Sequence, residues 1–351
     1  MKNKIIDLFC GCGGLSLGFE MAGFETAYAI DMWEDAVKTF NHNHPTPVAE
    51  CQDIHKLTND YLDSLGKNGD YVGVVGGPPC QGFSTVGKRI VEDPRNSLYL
   101  EYCRVVEHVK PDFFVLENVR GLTTLAGGAI RDDIVSRFSN LGYVVKYEVL
   151  NAADYGVPQN RFRVFFVGLR RKGFVFPKRH EEVLSCMDGI SDLPSIDDSM
   201  ADISEFKYDK PAQNSFQSAM RGNCSGVLNH QITVHSEQTK AIIGMIPNGG
   251  GIKDLPKEYW SIRKYNKAFE RMDCNKPSNT VDTGHRNYFH FSENRIPTAR
   301  ENARLQSFPD SFEFLGNKTS QYKQIGNAVP PLLAFEVAKA IKEQIESGSN
   351  N

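Results

Sequence analysis

The sequence predicts an α/β fold in which a mostly parallel sheet is followed by a smaller, irregular domain. Along the first half, short apolar runs alternate with amphipathic helical patterns, which is typical of βαβ units. Beyond about Gly173 this periodicity weakens, and Pro, Gly, Asn and Ser accumulate as far as Gly251. The length of 351 residues, at roughly 150 residues per domain, agrees with two domains.

Two strand–helix units are predicted at the start of the chain. Residues 4–9 form the first apolar run, and a glycine-rich turn leads from it into a helical pattern over residues 15–22. The second run covers residues 24–30 and ends at Asp31. A helix to about Asn41 follows it.

Later apolar runs predict four more strands and a closing helix. The strands are predicted at residues 71–75, 113–116, 143–150 and 163–169, and the helix at residues 331–345. Glycine, proline and polar residues come directly after the first two of these runs. In open α/β sheets the ligand-binding site lies at the carboxyl ends of the strands. We therefore expect Asp31, Cys80 and Glu117 to converge on that edge of the sheet.

The composition is that of a globular protein, with a net charge of −3, 40% hydrophobic and 24% charged residues. These values exclude disordered, collagen-like and coiled-coil proteins. No stretch of about 18 apolar residues occurs, and the apolar run near the N-terminus is too short for a signal peptide. Eight cysteines are too few for a disulfide scaffold in a chain of this length. We therefore expect a cytoplasmic protein without a membrane segment.

Charge is divided unevenly along the chain. Residues 1–150 carry 14 basic and 20 acidic residues, a net of −6, so residues 151–351 carry 26 and 23, a net of +3. Within the second part, residues 221–300 carry 12 basic and 7 acidic residues, a net of +5. Solvated surfaces are the favoured explanation of such runs, and a polyanionic partner is allowed by them but not shown.

The segment Asp7-Leu8-Phe9-Cys10-Gly11-Cys12-Gly13-Gly14 joins a strand to a helix through glycines. Backbone can approach a ligand closely there, near a helix N-terminus. Asp31 ends the next strand, where a carboxylate can accept hydrogen bonds from ribose hydroxyls, so a nucleoside cofactor is predicted. Ser16 replaces the third glycine of the dinucleotide fingerprint, and a tight structural turn without a ligand is the alternative. Cys10 and Cys12 lack a second ligand pair at zinc spacing, which favours small buried residues.

The segment Gly76-Gly77-Pro78-Pro79-Cys80-Gln81-Gly82-Phe83-Ser84 presents a candidate nucleophile. Two prolines restrict the direction of the Cys80 sulfur, and glycines leave space around it. A thiol held in this way is a nucleophile if its pKa is lowered, whereas most cysteines are inert core residues.

Polar residues at two further strand ends complete the candidate set. Glu117 follows the buried-looking residues 112–116, so desolvation should raise its pKa and let it share a proton with a ring nitrogen. A strand-end cap is the alternative. Arg161 and Arg163 alternate at the start of the next strand and should point to the same face. One or both could hold an anionic or carbonyl oxygen, or form a surface ion pair.

These segments occur together and in order, and the chain thereby resembles the cytosine-5 DNA methyltransferases of bacterial restriction–modification systems. The matching stretches are residues 7–14 (DLFCGCGG), 31, 52–54 (QDI), 78–81 (PPCQ), 117–119 (ENV), 159–163 (QNRFR), 304–310 (RLQSFPD) and 324–330 (QIGNAVP). The resemblance implies a Rossmann-like catalytic domain at 1–175 plus 315–351, with a target-recognition domain at 176–314. It also implies S-adenosylmethionine as the methyl donor and no metal.

The resemblance further implies roles for individual residues. Cys80 would add to C6 of the target cytosine, Glu117 would bind N3 and the exocyclic amine, and Arg163, with Arg161, would hold O2. Residues implied in cofactor binding are Asp7, Phe9, Gly11, Gly13, Gly14, Leu15, Asp31, Met32, Asp53, Ile54, Pro78, Asn327, Ala328 and Val329. The target base would have to be flipped out of the duplex, which costs a few kcal/mol of unstacking.

The loop at residues 84–98 is polar and is expected to close over the site and contact phosphate. It departs from the family's Asp-x-Arg-Gly pattern because Asn96 follows Arg95. Residues expected to contact DNA are Ser84, Lys88, Arg89, Arg95, Arg263, Arg271, Thr280, His285 and Arg286. The expected partner is double-stranded DNA, with a restriction endonuclease acting separately and the enzyme itself a monomer.

Three rival functions remain. A methyltransferase acting on RNA shares the motifs, but the roughly one hundred residues between Gly173 and Arg271 favour a surface that reads DNA sequence. A nicotinamide-dependent oxidoreductase would use the same sheet, and Ser16 and the Pro-Pro-Cys segment disfavour it. A non-catalytic DNA-binding relative would have no use for Cys80, Glu117 and Arg163 together.

Overall fold

The computed structural model describes residues 3–67, 70–79, 97–170, 172–261, 269–284 and 288–348. The chain forms two compact units. The first, here called the sheet unit, comprises Met1–Asn151, Phe162–Lys178 and Leu333–Asn351. The second unit comprises Ala152–Arg161 and Arg179–Leu332. The chain thus enters the second unit twice, at 152 and at 179, and returns to the first at 162 and at 333. The predicted domain bounds, 1–175 plus 315–351 and 176–314, stay predictions. The functional roles of the two parts stay predictions.

A seven-stranded sheet forms the centre of the sheet unit. Its strands, in chain order, are β1 Lys4–Leu8, β2 Glu25–Asp31, β3 Ala49–Cys51, β4 Tyr71–Gly76, β5 Phe113–Val119, β6 Val144–Asn151 and β7 Phe162–Leu169. Their order across the sheet is β3-β2-β1-β4-β5-β7-β6. Neighbouring strands from β3 to β5 are parallel, and β7 runs antiparallel to both β5 and β6. This arrangement confirms the predicted α/β class with a mostly parallel sheet.

The order of the strands indicates where a ligand site is expected. After β1 the chain moves outward to β2 and β3, then returns to the other side of β1 as β4. Neighbouring strands whose connections leave in opposite directions open a crevice at their carboxyl ends. The crevice between β1 and β4 is where the predicted donor loop and the Pro-Pro-Cys segment begin.

Helices follow most of the strands of the sheet unit. They are α1 Gly14–Met21, α2 Glu34–Asn43, α3 Asn59–Lys67, α4 Ser97–Val109, α5 Ala129–Asn140 and α11 Pro331–Gly348, the last beginning in the second unit. No helix within the described ranges is both long and apolar enough to span a bilayer.

The core of the sheet unit explains why its strands are continuous apolar runs. Strands covered by helices on both faces bury every side chain, and residues 113–116 are fully buried accordingly. The Phe114 ring stacks on Phe138 of α5 with 3.9 Å between centroids. A Cβ on Gly168 of β7 would lie 2.1 Å from the Phe114 ring, so a glycine is required there.

Short helices and a two-stranded sheet make up the second unit. They are α6 Cys186–Ile190, α7 Ser215–Arg221, α8 Glu237–Gly244, α9 Ala299–Leu305, α10 Lys318–Asn327, β8 Phe206–Lys207 and β9 Gly226–Val227. Buried ion pairs contribute to its interior. Arg304 donates two hydrogen bonds of 2.6 Å to Asp310 and one of 3.1 Å to Asp192. The stretch 304–310, noted above for its family resemblance, is thus buried structure within this unit.

Candidate active site

The turn between β1 and α1 depends on left-handed backbone. Phe9 has φ of 59°, so the strand ends one residue earlier than the sequence predicts, and Gly11 and Gly13 have φ of 53° and 95°. At Gly13 there is a second reason for glycine, because a Cβ would lie 2.1 Å from Nε2 of His44. The turn therefore lies tightly over α2 and leads directly into α1 at Gly14.

Asp31 joins this turn to the end of β2. One carboxylate oxygen accepts a hydrogen bond of 2.9 Å from the Gly11 amide, and the other accepts one of 2.8 Å from the Trp33 amide. Because each carboxylate oxygen has two lone pairs, the group retains capacity to accept bonds from ligand hydroxyls.

Asp7 lies beneath the turn. Its side chain is fully buried and accepts a 2.6 Å hydrogen bond from the Ser16 hydroxyl, and burial raises the pKa of this carboxyl to about 7. Asp7 is not among the described residues that line the neighbouring cleft, and its predicted contact with the cofactor stays a prediction. Ser16, where the dinucleotide fingerprint has glycine, is the hydrogen-bond partner of this carboxyl.

A cleft of about 510 Å³, partly open to solvent, lies at the carboxyl ends of these strands. Its lining residues are Phe9, Ile30, Asp31, Met32, Gln52, Ile54, Gly77, Pro79 and Leu98. Four of them, Phe9, Asp31, Met32 and Ile54, are predicted cofactor contacts.

Other predicted cofactor contacts lie outside this lining. Leu15 is buried in α1, and Gly14 is also buried. The Asp53 carboxylate accepts a 3.0 Å hydrogen bond from the His55 amide and so caps a short 3₁₀ turn. Gln52, beside Asp53, lines the cleft instead. The sequence identified residues 52–54 as a candidate cofactor-binding segment, but it did not reveal which of their side chains faces the cleft.

Cys10 and Cys12 are buried in the turn, as the sequence predicts. Burial raises the pKa of both thiols, that of Cys12 to about 12. Thiols with such pKa values are poor nucleophiles at neutral pH.

Glu117 and Arg163 form an ion pair at the ends of β5 and β7. The distance from Arg163 Nε to Glu117 Oε1 is 2.9 Å, and the two side chains are only 16% and 11% exposed. Arg163 pairs in register with Val119, so it is the diagonal neighbour of Glu117 on the same face of the sheet. Arg163 also donates from Nη1 to the carbonyl of Phe162, at 2.8 Å. A guanidinium carries five N–H donors, which leaves it capacity for a further acceptor.

The loop after β4 lies against this pair. A Cβ on Gly77 would be 2.8 Å from Glu117 Oε2, and the Asn118 amide donates to the Pro78 carbonyl at 2.8 Å. The sequence singled out both segments, but it gave Asn118 no role and gave Gly77 only that of leaving space around Cys80. Only their positions in the sequence could have pointed to these two residues: Gly77 comes directly before the two prolines, and Asn118 directly after Glu117.

Cys80 itself is outside the described residues, as are Ser84, Lys88, Arg89, Arg95, Arg263, His285 and Arg286.

Arg161 differs from Arg163. It is fully buried in the second unit, where Nη2 donates to the carbonyls of Gly326 at 2.8 Å and Ala328 at 2.9 Å. The expectation that Arg161 shares a face with Arg163 and acts on substrate is corrected, because its guanidinium anchors the chain that follows α10. The predicted contacts Asn327, Ala328 and Val329 are part of that anchored segment.

Arg271 is also structural. Its guanidinium donates to three buried acceptors, the carbonyls of Ile243, Ile246 and His290, and to two more on Glu293 and Asn294. The predicted DNA contact for Arg271 is corrected, since a buried side chain saturated in this way has no donor for phosphate. Thr280 is exposed, and its hydroxyl donates to the Asn160 carbonyl at 2.7 Å.

Comparison with known proteins identifies the family. Residues 3–343 match the family described as C-5 cytosine-specific DNA methylase. The chain is 40% identical over 346 residues to the type II methyltransferase M1.HphI of Haemophilus parahaemolyticus, covering 97% of this chain and 87% of that protein. It is 38% identical to M.DdeI of Desulfomicrobium norvegicum, with 98% and 89% covered.

A solved structure has the same fold. A prophage-encoded DNA modification methyltransferase of E. coli superposes with a TM-score of 0.81 at 28% identity, and the match covers 98% of this chain and 99% of that one. Since the family match runs through nearly the whole chain and the relatives align over almost their full length, this chain belongs to the C-5 cytosine-specific DNA methylases.

Proposed function

We propose that this methylase transfers a methyl group from S-adenosylmethionine to C5 of a cytosine flipped out of duplex DNA, through a covalent bond between Cys80 and C6. The observation that carries the proposal is the Glu117–Arg163 pair, held 2.9 Å apart beside the loop that leads to Cys80. A carboxyl group that shares a proton with N3 and accepts from the amine, next to a guanidinium that donates to O2, matches one edge of cytosine.

The cleft at β1, β2 and β4 fits S-adenosylmethionine. The Phe9 ring and the apolar side chains of Met32 and Ile54 suit an adenine ring, and the Asp31 carboxylate can accept from ribose hydroxyls. When bound, the cofactor supplies an electrophilic methyl group on a sulfonium.

The chain's own residues must make C5 nucleophilic. Addition of the Cys80 thiolate to C6 breaks the C5–C6 double bond and shifts electron density to C5, while Glu117 shares a proton with N3. Arg163 orients the Glu117 carboxylate and donates to O2. After C5 is methylated, a base removes the C5 proton, the electron pair re-forms the double bond and the thiolate leaves.

The relatives suggest the biological setting. Both curated relatives are named type II methyltransferases. We propose that this enzyme likewise works in a restriction–modification system in the cytoplasm, as a monomer, with a separate endonuclease that cuts the unmodified sequence.

The first test uses labelled S-adenosylmethionine and mixed-sequence duplex DNA. Label is expected at cytosine C5, and bisulfite sequencing of DNA from expressing cells should reveal the methylated sequence. Label on tRNA but not on duplex DNA would instead identify an RNA methyltransferase.

The second test concerns the nucleophile. A duplex with 5-fluorocytosine at the target should trap the protein covalently, since fluorine is not eliminated as a cation. Cys80→Ser should form no adduct while it still binds S-adenosylmethionine. Unchanged turnover of this variant would remove Cys80 from the mechanism.

A further inference from the structure

We infer that Gln52 is a specificity-determining residue for the methyl donor: its side-chain amide recognises the amino group of the donor's adenine together with the neighbouring ring nitrogen. The inference rests on the proposed use of S-adenosylmethionine. The family resemblance implied cofactor binding by Asp53 and Ile54 and assigned no role to Gln52, so the contact inferred here is made by a different side chain of the same segment.

Polar side chains are scarce in the cleft. Among the described residues that line it, Asp31 and Gln52 have side chains that form conventional hydrogen bonds, and the rest are apolar or glycine. In a mostly apolar site, a few placed polar groups determine orientation and specificity. Asp31 is proposed to bind ribose, which leaves Gln52 to recognise the base.

Gln52 directly follows β3 and lies beside the end of β2. Cys51, the last residue of β3, pairs in register with Asp31, and the backbone amide of Gln52 donates to the Asp31 carbonyl at 3.0 Å. This bond holds Gln52 next to the residue whose carboxylate is proposed to accept from ribose. Because the base of a nucleoside is attached directly to its ribose, a glutamine side chain at this position is within reach of the base.

The Gln52 side chain is available to a ligand. It is half-buried, and no residue in the described part of the chain is hydrogen-bonded to its amide group. The Asp53 carboxylate, by contrast, is bound within its own turn. Its Oδ1 accepts from the His55 backbone amide at 3.0 Å and lies 2.7 Å from Nδ1 of the same histidine.

A glutamine amide is complementary to the amino edge of adenine. Its Oε1 accepts and its Nε2 donates, while adenine presents an amino donor beside a ring-nitrogen acceptor. The two groups can therefore form two parallel hydrogen bonds. A purine without the amino group would form one bond fewer, which makes the amino group the chemical probe of this contact.

The test compares two ligands by calorimetric titration. One is S-adenosylhomocysteine, the product that remains after methyl transfer, and the other is its analogue with hydrogen in place of the purine amino group. Wild type should bind the analogue about tenfold more weakly, the effect of one lost hydrogen bond. Gln52→Met is nearly the same length but has no amide, so it should bind both ligands with equal affinity. The ratio of the two Kd values within one variant does not depend on how much of the protein is folded.

Two further variants complete the test. Gln52→Glu keeps an oxygen that accepts from the amine, so it should again prefer S-adenosylhomocysteine several-fold. Gln344→Met is the matched control, because the Gln344 amide accepts from the Val175 amide at 2.9 Å and donates to the Val175 carbonyl at 2.8 Å, away from the cleft lining. This variant should keep the wild-type preference.

Each outcome has a definite meaning. Failure of wild type to bind S-adenosylhomocysteine would contradict the proposed function. Equal affinity of wild type for the two ligands would overturn the role of Gln52 alone. A preference that survives Gln52→Met but is lost in Asp53→Ala would also overturn it and would assign the amine to Asp53. Equal affinities in Gln52→Glu would do the same to Gln52, since that variant keeps the acceptor.

Discussion

At the scale of single residues, Gly77 sets the space available to the Glu117 carboxylate. A methyl group there would lie 2.8 Å from Oε2, closer than a Cβ normally approaches an oxygen. We expect Gly77→Ala to displace the carboxylate and to lower kcat for DNA methylation about a hundredfold, the order of loss from a small misplacement of a reacting group. The measurement is the rate of label transfer at saturating cofactor and DNA.

Gly121→Ala serves as the control for this substitution. Gly121 follows the end of β5, but apart from its own local backbone and its chain neighbours nothing lies within 4 Å of its would-be Cβ. A comparable loss in Gly121→Ala would show that the effect comes from any added methyl group in this region rather than from contact with Glu117.

The Glu117–Arg163 pair predicts coupled stability effects. Arg163→Ala leaves a mostly buried carboxylate without its cation, and we expect the free energy of unfolding to fall by about 1–3 kcal/mol. Adding Glu117→Gln should recover much of that loss, because a neutral amide needs no cation. Urea denaturation of wild type, both single variants and the double variant gives the coupling energy. Strict additivity of the two single effects would contradict the coupling.

The sequence predicted residue types at the site better than it predicted their surroundings. It identified Glu117 at a strand end, but its partner depends on the register between β5 and β7, which no local pattern encodes. For Arg161 the sequence predicted the wrong surroundings. Its spacing of two from Arg163 suggested a shared face, yet β7 begins after it, at Phe162, so strand alternation does not apply there. Arg271 lies in a basic region, and net charge does not reveal that five acceptors enclose its guanidinium.

At the scale of elements, Asp7 connects β1 to α1 through Ser16 and should make stability depend on pH. Burial raises its pKa to about 7 from an ordinary value of 3.8. The folded state therefore holds a proton that the unfolded state has already lost between these two pH values. By linkage, the contribution of Asp7 to the free energy of unfolding falls as the pH rises from about 4 to about 7 and then levels off.

Asp7→Asn removes this titration. Relative to wild type, the variant should gain about 2–4 kcal/mol in free energy of unfolding as the pH is raised from about 4 to about 8. Urea denaturation across that range measures the difference. Asp60→Asn, at an exposed position on α3, should show no such trend. A difference between Asp7→Asn and wild type that stays constant with pH would contradict a titrating Asp7.

Whether a strand could be predicted depended on its length and burial. Strands β4 and β5 are continuous apolar runs because both of their faces are covered, and the sequence located their starts correctly. β3 has three residues, two of them exposed, and left no periodic pattern to find. The sequence therefore defined the middle of the sheet and the residues at its carboxyl edge, but not β3, one of its two outer strands.

At the scale of the whole molecule, the division into two units determines how a bound cofactor should stabilise the protein. The described residues that line the cleft all belong to the sheet unit. S-adenosylmethionine at a hundred times its Kd should add about 2.7 kcal/mol to the stability of the state that binds it. If the units unfold separately, only the transition of the sheet unit should move to higher temperature; if they unfold together, the single transition should move.

Calorimetric melting with and without S-adenosylmethionine measures this shift. Asp31→Ala should lose most of it, because the variant lacks both the ribose acceptor and the bonds that hold Gly11 and Trp33. Cys80→Ser should keep the full shift, since Cys80 is proposed to act on the base rather than on the cofactor. NAD, tested in the same way, should leave the melting temperature unchanged. A rise in melting temperature with NAD but none with S-adenosylmethionine would favour an oxidoreductase cofactor in the cleft between β1 and β4. A rise with S-adenosylmethionine that survives Asp31→Ala would place the methyl donor elsewhere in the sheet unit.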